Sequence, residues 1–264
     1  MQLPLYQLDA FTNHVFGGNP AAVVPLSSWL ADDTMQAIAA ENNLAETAFY
    51  VPTEEGFHIR WFTPTVEVDL CGHATLATAY VIFNLDNYPH DTIRFDSRSG
   101  ELKVTKEGEW LVLDFPVDML HKQLLTPPAL LEALGEITPV DIVKGKTDFL
   151  VVLESESLVR NLDIDVIVLS TVPARGVIVT AKGDEVDFVS RFFAPQSGIA
   201  EDPVTGSAHT SLTPYWAEKL QKDEFVALQV SPRGGYLKTK LRGERVDIAG
   251  QVRLYLRGTI EINE

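Results

Sequence analysis

Sulfur and positive charge are both scarce in this chain. A single cysteine, Cys71, among 264 residues leaves no partner for an intrachain disulfide and no thiolate set for a metal ion. Such usage fits a reducing compartment. Lys and Arg number 21 against 37 Asp and Glu, for a formal net charge of -16. Proteins that grip nucleic acid neutralise phosphates with clustered Lys and Arg, and no basic run of that kind is present. Nucleic acid is therefore excluded as a partner, although a locally positive pocket remains compatible with an acidic surface. Long apolar runs are also lacking. The segment Ala74 to Phe83 is about half the roughly 20 residues needed to cross a bilayer. Met1 to Ala10 does not pair a basic region with an apolar one, as a signal peptide would. The expectation is a soluble, cytoplasmic protein with no membrane association.

What the chain does have is apolar content, 45% of 264 residues, enough for one large core or two modest ones. Leu3 to Phe11 reads as an opening strand and Ala21 to Leu26 as a second, separated by the turn-forming Gly17-Gly18-Asn19-Pro20. A helix follows, with Asp32 or Asp33 as its cap and Met35, Ile38 and Ala39 on its apolar stripe. Thr47 to Val51 and Phe57 to Phe62 return to strand composition. From Gly72 to Phe83 the sequence is apolar nearly all round, which predicts a helix enclosed by sheet. Between Ile93 and Phe115, the breaks at Ser99-Gly100 and Gly108-Glu109 mark antiparallel hairpins. Residues 116–138, with three prolines and a short helix around Ala129 to Leu134, read as a crossover between lobes.

The second half echoes the first at an offset of about 130 residues. Arg60-Trp61-Phe62-Thr63-Pro64 returns as Arg191-Phe192-Phe193-Ala194-Pro195, and Cys71-Gly72-His73-Ala74 as Thr205-Gly206-Ser207-Ala208. Ala45-Glu46-Thr47 pairs loosely with Ala174-Arg175-Gly176. Three matches in one order predict an internal duplication. The expected fold is α+β, with two similar lobes, each a mixed, mainly antiparallel sheet wrapped around a central helix. The lobes are placed at residues 1–118, with the C-terminal strand joining them, and 119–264, with an active-site cleft between. Packed by pseudo-twofold symmetry, the two helix starts would face one another, each a ready site for an anion.

Glu46 stands where a helix gives way to an apolar strand, so its carboxylate is a candidate general acid or base in a partly dry pocket. A solvated glutamate at a helix end is the bland alternative. His73, beside Gly72 at a helix start, can hydrogen-bond a substrate oxygen or shuttle a proton, although a lone histidine at such a position is more often structural. Glu201-Asp202-Pro203-Val204-Thr205-Gly206-Ser207 is the densest polar cluster of the second half, readable as a site or as an ordinary helix cap with Asp202 or Thr205 as N-cap. Trp61, Phe62, Phe192 and Phe193 fit core packing, and Arg60 and Arg191 fit either acidic neighbours or substrate. Cys71 fits small-residue packing before the helix.

Taken together, Asp9-Ala10-Phe11-Thr12, Gly18-Asn19-Pro20-Ala21, Asn43-Leu44-Ala45-Glu46-Thr47, Arg60-Trp61-Phe62-Thr63-Pro64, Cys71-Gly72-His73-Ala74-Thr75 and Glu201-Asp202-Pro203-Val204-Thr205-Gly206-Ser207-Ala208 resemble the PhzF-like, phenazine-biosynthesis family. The resemblance spans nearly the whole chain. It implies the two-lobed fold shared with diaminopimelate epimerase and a homodimeric isomerase of a biosynthetic process, working on a small carboxylated substrate without metal or organic cofactor. Carried over by motif, it implies that Glu46 is the general acid/base and that His73 and Asp202 orient substrate and assist proton movement. Gly72, Gly206 and Ser207 are implied to bind the substrate and its carboxylate. The related epimerases use one thiol from each half. Here Thr205 stands where the second thiol would be, so a proton shift by one carboxylate is the expected mechanism. Two alternatives remain open on the sequence: a metabolite- or partner-binding protein on this fold without turnover, and an enzyme for a different small carboxylate.

Overall fold

The computed structural model describes residues 1–122 and 125–262. Gln123 and Leu124 of the expected crossover, and the last two residues of the expected second lobe, lie outside them. The chain divides into two units, Met1–Asp114 with Ile248–Glu264, and Phe115–Asp247. This boundary precedes the expected one by a few residues, because Val117 N–H bonds Glu244 O (2.9 Å) and Asp118 N–H bonds Thr210 O (3.2 Å), tying both residues to the second unit. The C-terminal strand Val252–Glu261 joins the first unit through antiparallel pairing with the opening strand, from Gln2↔Glu261 to Ala10↔Val252.

The first unit runs β1 (Gln2–Ala10), β2 (Asn19–Pro25), α1 (Asp32–Asn42), β3 (Glu46–Pro52), β4 (Phe57–Phe62), β5 (Glu67–Val68), α2 (Gly72–Asn84), β6 (Thr92–Asp96), β7 (Leu102–Glu107) and β8 (Trp110–Pro116). β1 and β2 are antiparallel, β2 and β3 parallel, β3 and β4 antiparallel, and β4 and β6 parallel. The turn into β2 needs glycine at Gly18. Its φ is +61°, and a Cβ there would lie 2.1 Å from Ala10 O. Of the 13 residues of α2, all but Tyr80 and Asn84 are buried, as the all-round apolar sequence predicts. Thr75 and Thr78 return their hydroxyls to the carbonyls of Cys71 and Ala74 (2.6 and 2.8 Å), so their polar atoms are satisfied inside the core. α1 covers the opposite face, where Met35, Ile38 and Ala39 meet Val24, Phe49, Val51 and Phe62. Neither Asp32 nor Asp33 caps it. Ala31 holds the N-cap position, and Asp32 turns to Arg60 (2.9 Å).

The second unit runs β9 (His121–Lys122), α3 (Pro128–Ala133), β10 (Asp141–Lys144), β11 (Asp148–Val152), α4 (Glu156–Arg160), α5 (Val166–Leu169), β12 (Gly176–Lys182), β13 (Phe188–Ala194), β14 (Ile199–Asp202), α6 (His209–Leu220), β15 (Glu224–Gln229), β16 (Gly235–Arg242) and β17 (Arg245–Gly250). Its sheet is buried on both faces, and alternation assigns each side chain. Leu150, Val152, Ile178, Phe188 and Phe192 pack with Leu212, Tyr215 and Trp216 of α6. Phe149, Val151, Val177, Val179 and Phe193 pack with the residues of α3, α4 and α5. Pro214 inside α6 has no N–H to give Thr210 O, and it is the Asp118 N–H that occupies that carbonyl.

Strand pairing shows the duplication directly. β10/β11 are antiparallel, β11/β12 parallel, β12/β13 antiparallel and β13/β15 parallel, the sequence of senses found in the first unit. Thr47 faces Phe62 and Val177 faces Phe193. Ala21 faces Glu46 and Asp148 faces Gly176. Glu46 is therefore equivalent to Gly176, one residue beyond the Arg175 that sequence alignment gave it; Arg175 is equivalent to Ala45. A matched ion pair marks both copies. Arg60 forks onto Glu67 with both bonds at 2.7 Å, and Arg191 onto Glu201 at 2.7 and 2.9 Å. Each guanidinium also lies over a phenylalanine, Phe62 or Phe193, at 5.2 and 4.9 Å.

Both arginines thus pair with acidic neighbours. Removing one partner of such a largely buried fork leaves an uncompensated charge. Arg191→Met is expected to lower unfolding stability by about 3 kcal/mol, read from urea denaturation; a loss below about 1 kcal/mol would show that the fork adds little.

Candidate active site

In the first unit three sequence-predicted residues come together. Asn43, in the left-handed conformation at φ 48°, ends α1, and the chain turns into β3 with Glu46 as its first residue. β3 runs parallel to β2, whose own first residue, Asn19, is fully buried. Gly72 opens α2 and His73 follows it, both inside the core. The His73 ring is held from several directions. Asn19 Nδ2 lies 3.2 Å from Nδ1, Cys71 Sγ lies 3.5 Å from the same nitrogen, and Glu46 Oε2 lies 3.1 Å from Nε2. Side-chain exposure is 6% for His73 and 12% for Glu46. The Glu46–His73 contact is an ion contact, since neither Oε2 nor Nε2 has hydrogen-bond geometry to any partner.

Burial disfavours a charged imidazole, but the Cys71 sulfur and the Glu46 carboxylate outweigh it and hold the His73 pKa well above its ordinary value. Burial, helped by the Glu46 charge, pushes the Cys71 thiol up to about 11. A buried imidazole against a carboxylate is an arrangement that can donate and accept protons. The ligand atoms of Glu46, Cys71 and His73 lie within 4.8 Å of one another, close enough to suggest a cation site. The chemistry of the set fits a proton relay better: sulfur approaches Nδ1 and carboxylate approaches Nε2, whereas one cation takes one ring nitrogen.

In the second unit Asp202 ends β14 and accepts a 2.5 Å hydrogen bond from Thr205 Oγ1. Thr205 is the residue equivalent to Cys71. Its backbone N–H is taken by Gln229 Oε1 (2.8 Å), and Gln229 Nε2 donates to Asp202 O (2.8 Å) and Thr205 Oγ1 (3.3 Å). Gln229 is 1% exposed, a buried clamp on the loop that carries Asp202. The expected helix start at Gly206 and Ser207 is a 3-10 turn, Gly206–Ala208, with α6 beginning at His209. The reason is the Ala208 N–H bonding Thr205 O at 3.2 Å, one residue too close for an α-turn. Neither Asp202 nor Thr205 serves as a side-chain cap. Ser207 Oγ lies beside Arg175 Nη1 and Nη2 (3.4 and 3.3 Å).

Sequence reasoning missed Asn19, Gln229 and Arg175, which touch the predicted residues His73, Asp202 and Ser207, and Asp148, which holds Arg175. No motif logic singles out a lone glutamine about 25 residues downstream, although the strand pattern around Gln229 signals a polar residue at a buried position. Trp61, Phe62, Phe192 and Phe193 are core residues. His209 is fully buried, its Nδ1 bonded to Thr205 O (3.0 Å), and burial drives its pKa down to about 4. It is a neutral structural histidine.

Two measurements check these assignments. In the folded state His209 takes up its proton at about pH 4, against about 6.5 when unfolded, so stability should fall as pH drops from about 6.5 to about 4, by roughly 3 kcal/mol for this residue. His209→Phe should flatten urea-derived stability across that window; an unchanged slope would assign the acid loss elsewhere. Cys71, buried and protonated at pH 8, should react with iodoacetamide far more slowly in the folded protein than in urea. Equal rates would show the thiol to be open.

Comparison with known proteins adds a lineage. Residues 8–258 match the family described as phenazine biosynthesis-like protein. A Pseudomonas aeruginosa protein named an uncharacterized isomerase is 52% identical, the alignment covering 100% of this chain and 100% of that one. The crystal structure of an Enterococcus faecalis protein of the PhzF family superposes with a TM-score of 0.95 at 46% identity, covering 99% of this chain and 100% of that one. A hydroxyproline epimerase from Agrobacterium vitis shares the fold alone, with a TM-score of 0.62 at 11% identity over 98% of this chain and 92% of that one. Among the described residues no helix is long and apolar enough to cross a membrane.

Proposed function

The chain belongs to the phenazine biosynthesis-like, or PhzF-like, family, and from that membership we propose a cofactor-independent isomerase that shifts a proton on a small cyclic or amino carboxylate. The observation that carries the mechanism is the buried contact of Glu46 Oε2 with His73 Nε2 at 3.1 Å. Glu46 is the general acid/base. As a carboxylate beside the imidazole it can accept a proton from an acidic carbon, and the carboxylic acid so formed can return the proton to another position of the same molecule. His73 holds the carboxylate in place and offsets its charge while the proton is in transit. Asn19, on the far side of the ring, fixes its orientation.

On the second unit, Gly206 and Ser207 are the groups proposed for the substrate carboxylate, with Asp202 orienting its polar substituents and assisting proton movement. Gly72 is the corresponding backbone donor on the first. The intact Glu46, His73 and Asp202 set favours turnover over a purely binding role, since a binder has no need of a base in a dry pocket. The working form is proposed to be a cytoplasmic homodimer.

The test is deuterium incorporation followed by NMR in heavy water with a panel of small cyclic and α-amino carboxylates. Glu46→Gln keeps the shape of the side chain and removes the base. It should bind carboxylates normally and lose exchange by about 100-fold or more. Undiminished exchange in that variant would remove Glu46 from the mechanism.

A further inference from the structure

Asp148 opens β11 with its side chain only 5% exposed, a position where a carboxylate is costly unless it is paired. Its partner is Arg175, which donates Nε–H to Oδ1 at 2.9 Å and Nη2–H to Oδ2. The arginine is fixed in two further ways. Its backbone N–H bonds Thr147 O (2.9 Å), and its guanidinium lies over the Phe192 ring at 5.3 Å. The ring reaches that place because residue 176 is glycine: a Cβ there would stand 2.4 Å from Phe192 Cζ. Fork, backbone anchor and ring together leave the guanidinium with one orientation.

A fold staple would account for the fork alone, but not for the arginine's outer edge. The Arg175 side chain is 42% exposed, and among the described residues its outward nitrogen Nη1 makes a single long hydrogen bond, 3.4 Å to Ser207 Oγ. Five N–H donors are available on a guanidinium, so Nη1 retains one for a ligand. Ser207 Oγ, accepting from Arg175, keeps its own hydroxyl proton to donate. The equivalent positions of the first unit are Ala21 and Ala45, as strand register shows. The same strand junction therefore forms without any ion pair, and the second unit has acquired one beside the turn that carries Ser207.

We propose that Arg175, locked by Asp148, reads the substrate carboxylate together with Ser207 and makes the second unit select anionic over neutral ligands. The proposal rests on the isomerase reading for its substrate, and extends it with a specificity-determining residue. Two donors, Arg175 Nη1–H and Ser207 O–H, meet the two oxygens of one carboxylate. Asp202 and Asp118 add negative charge to the same surroundings, so selection works through these short-range donors and not through long-range attraction.

The experiment compares benzoate with benzamide, of nearly the same shape, by ligand-observed NMR titration. Wild type should bind benzoate at least about tenfold more tightly. Arg175→Met leaves Asp148 unpaired and is liable to unfold, so the decisive variant is Arg175→Ala with Asp148→Ala, which restores the alanine pair of the first unit. It should fold, bind benzamide as before, and lose the preference for benzoate. Retention of a tenfold preference in the double variant, or equal binding of both probes by wild type, would overturn the proposal. Because binding is read without turnover, a wild type that exchanges no deuterium yet loses its preference on substitution would sink the isomerase reading and leave Arg175 as the carboxylate reader.

Discussion

Everything in the first unit's site depends on where two chain segments begin. β3 starts at Glu46 because α1 is stopped by the left-handed Asn43, and α2 starts at Gly72 after an extended Cys71. The parallel register of β3 with β2 then sets Glu46 against the opening of a helix that is buried nearly all round. The carboxylate, 12% exposed, meets the His73 imidazole at 3.1 Å. A shift of β3 by one residue would send Glu46 to the opposite face of the sheet, among Phe49 and Val51 of the outer core. The place of the proposed general acid/base is thus a property of strand register as much as of residue type.

Duplication supplied one scaffold twice, and the two copies kept their frame while exchanging their charges. The Arg–Glu fork under a phenylalanine persists in both, since it is buried in each sheet and costs several kcal/mol to break. At the working positions the copies diverge. Where the first has Glu46, Cys71 and His73, the second has Gly176, Thr205 and Ser207; where the second has Asp148 and Arg175, the first has Ala21 and Ala45. In the proposed mechanism one copy carries the groups that move protons, and the other carries the groups that hold an anion. Such a division follows naturally when only one carboxylate base is needed, because the second copy is then free to specialise in recognition.

Much of this was legible in the residues. Apolar sequence all round α2 fixed it as an enclosed helix, period-2 patterns located β3 and β4, and the repeated Arg-aromatic-Phe and Gly-containing helix starts exposed the duplication. Glu46 and His73 were legible as a pair only through family resemblance, because residues separated by the length of β3, β4 and β5 meet by tertiary packing that no local pattern encodes. The cap at Asp32 was misread for a physical reason: Arg60, far away in sequence, competes for that carboxylate. The pairing of Glu46 with Arg175 erred by one residue because sequence similarity there is slight, whereas hydrogen-bond register admits no such ambiguity. Gln229 and Asp148 stand at strand ends, Gln229 closing β15 and Asp148 opening β11, and no motif assigns such a residue a partner.

The single thiol ties this division of labour to the chemistry. A two-base stereochemical inversion needs an acid/base on each face of a carbon, and the position equivalent to Cys71 holds Thr205, whose hydroxyl is committed to Asp202 and whose N–H is committed to Gln229. An alcohol so engaged is a poor proton acceptor near neutral pH. On the other side Cys71, with its thiol held protonated by burial and by Glu46, is a poor base as well. Its sulfur instead borders the His73 imidazole, 3.5 Å from Nδ1, as a polarizable neighbour. Under the proposed mechanism, the thiol that serves as a base in a two-cysteine epimerase is here part of the wall of a one-carboxylate site.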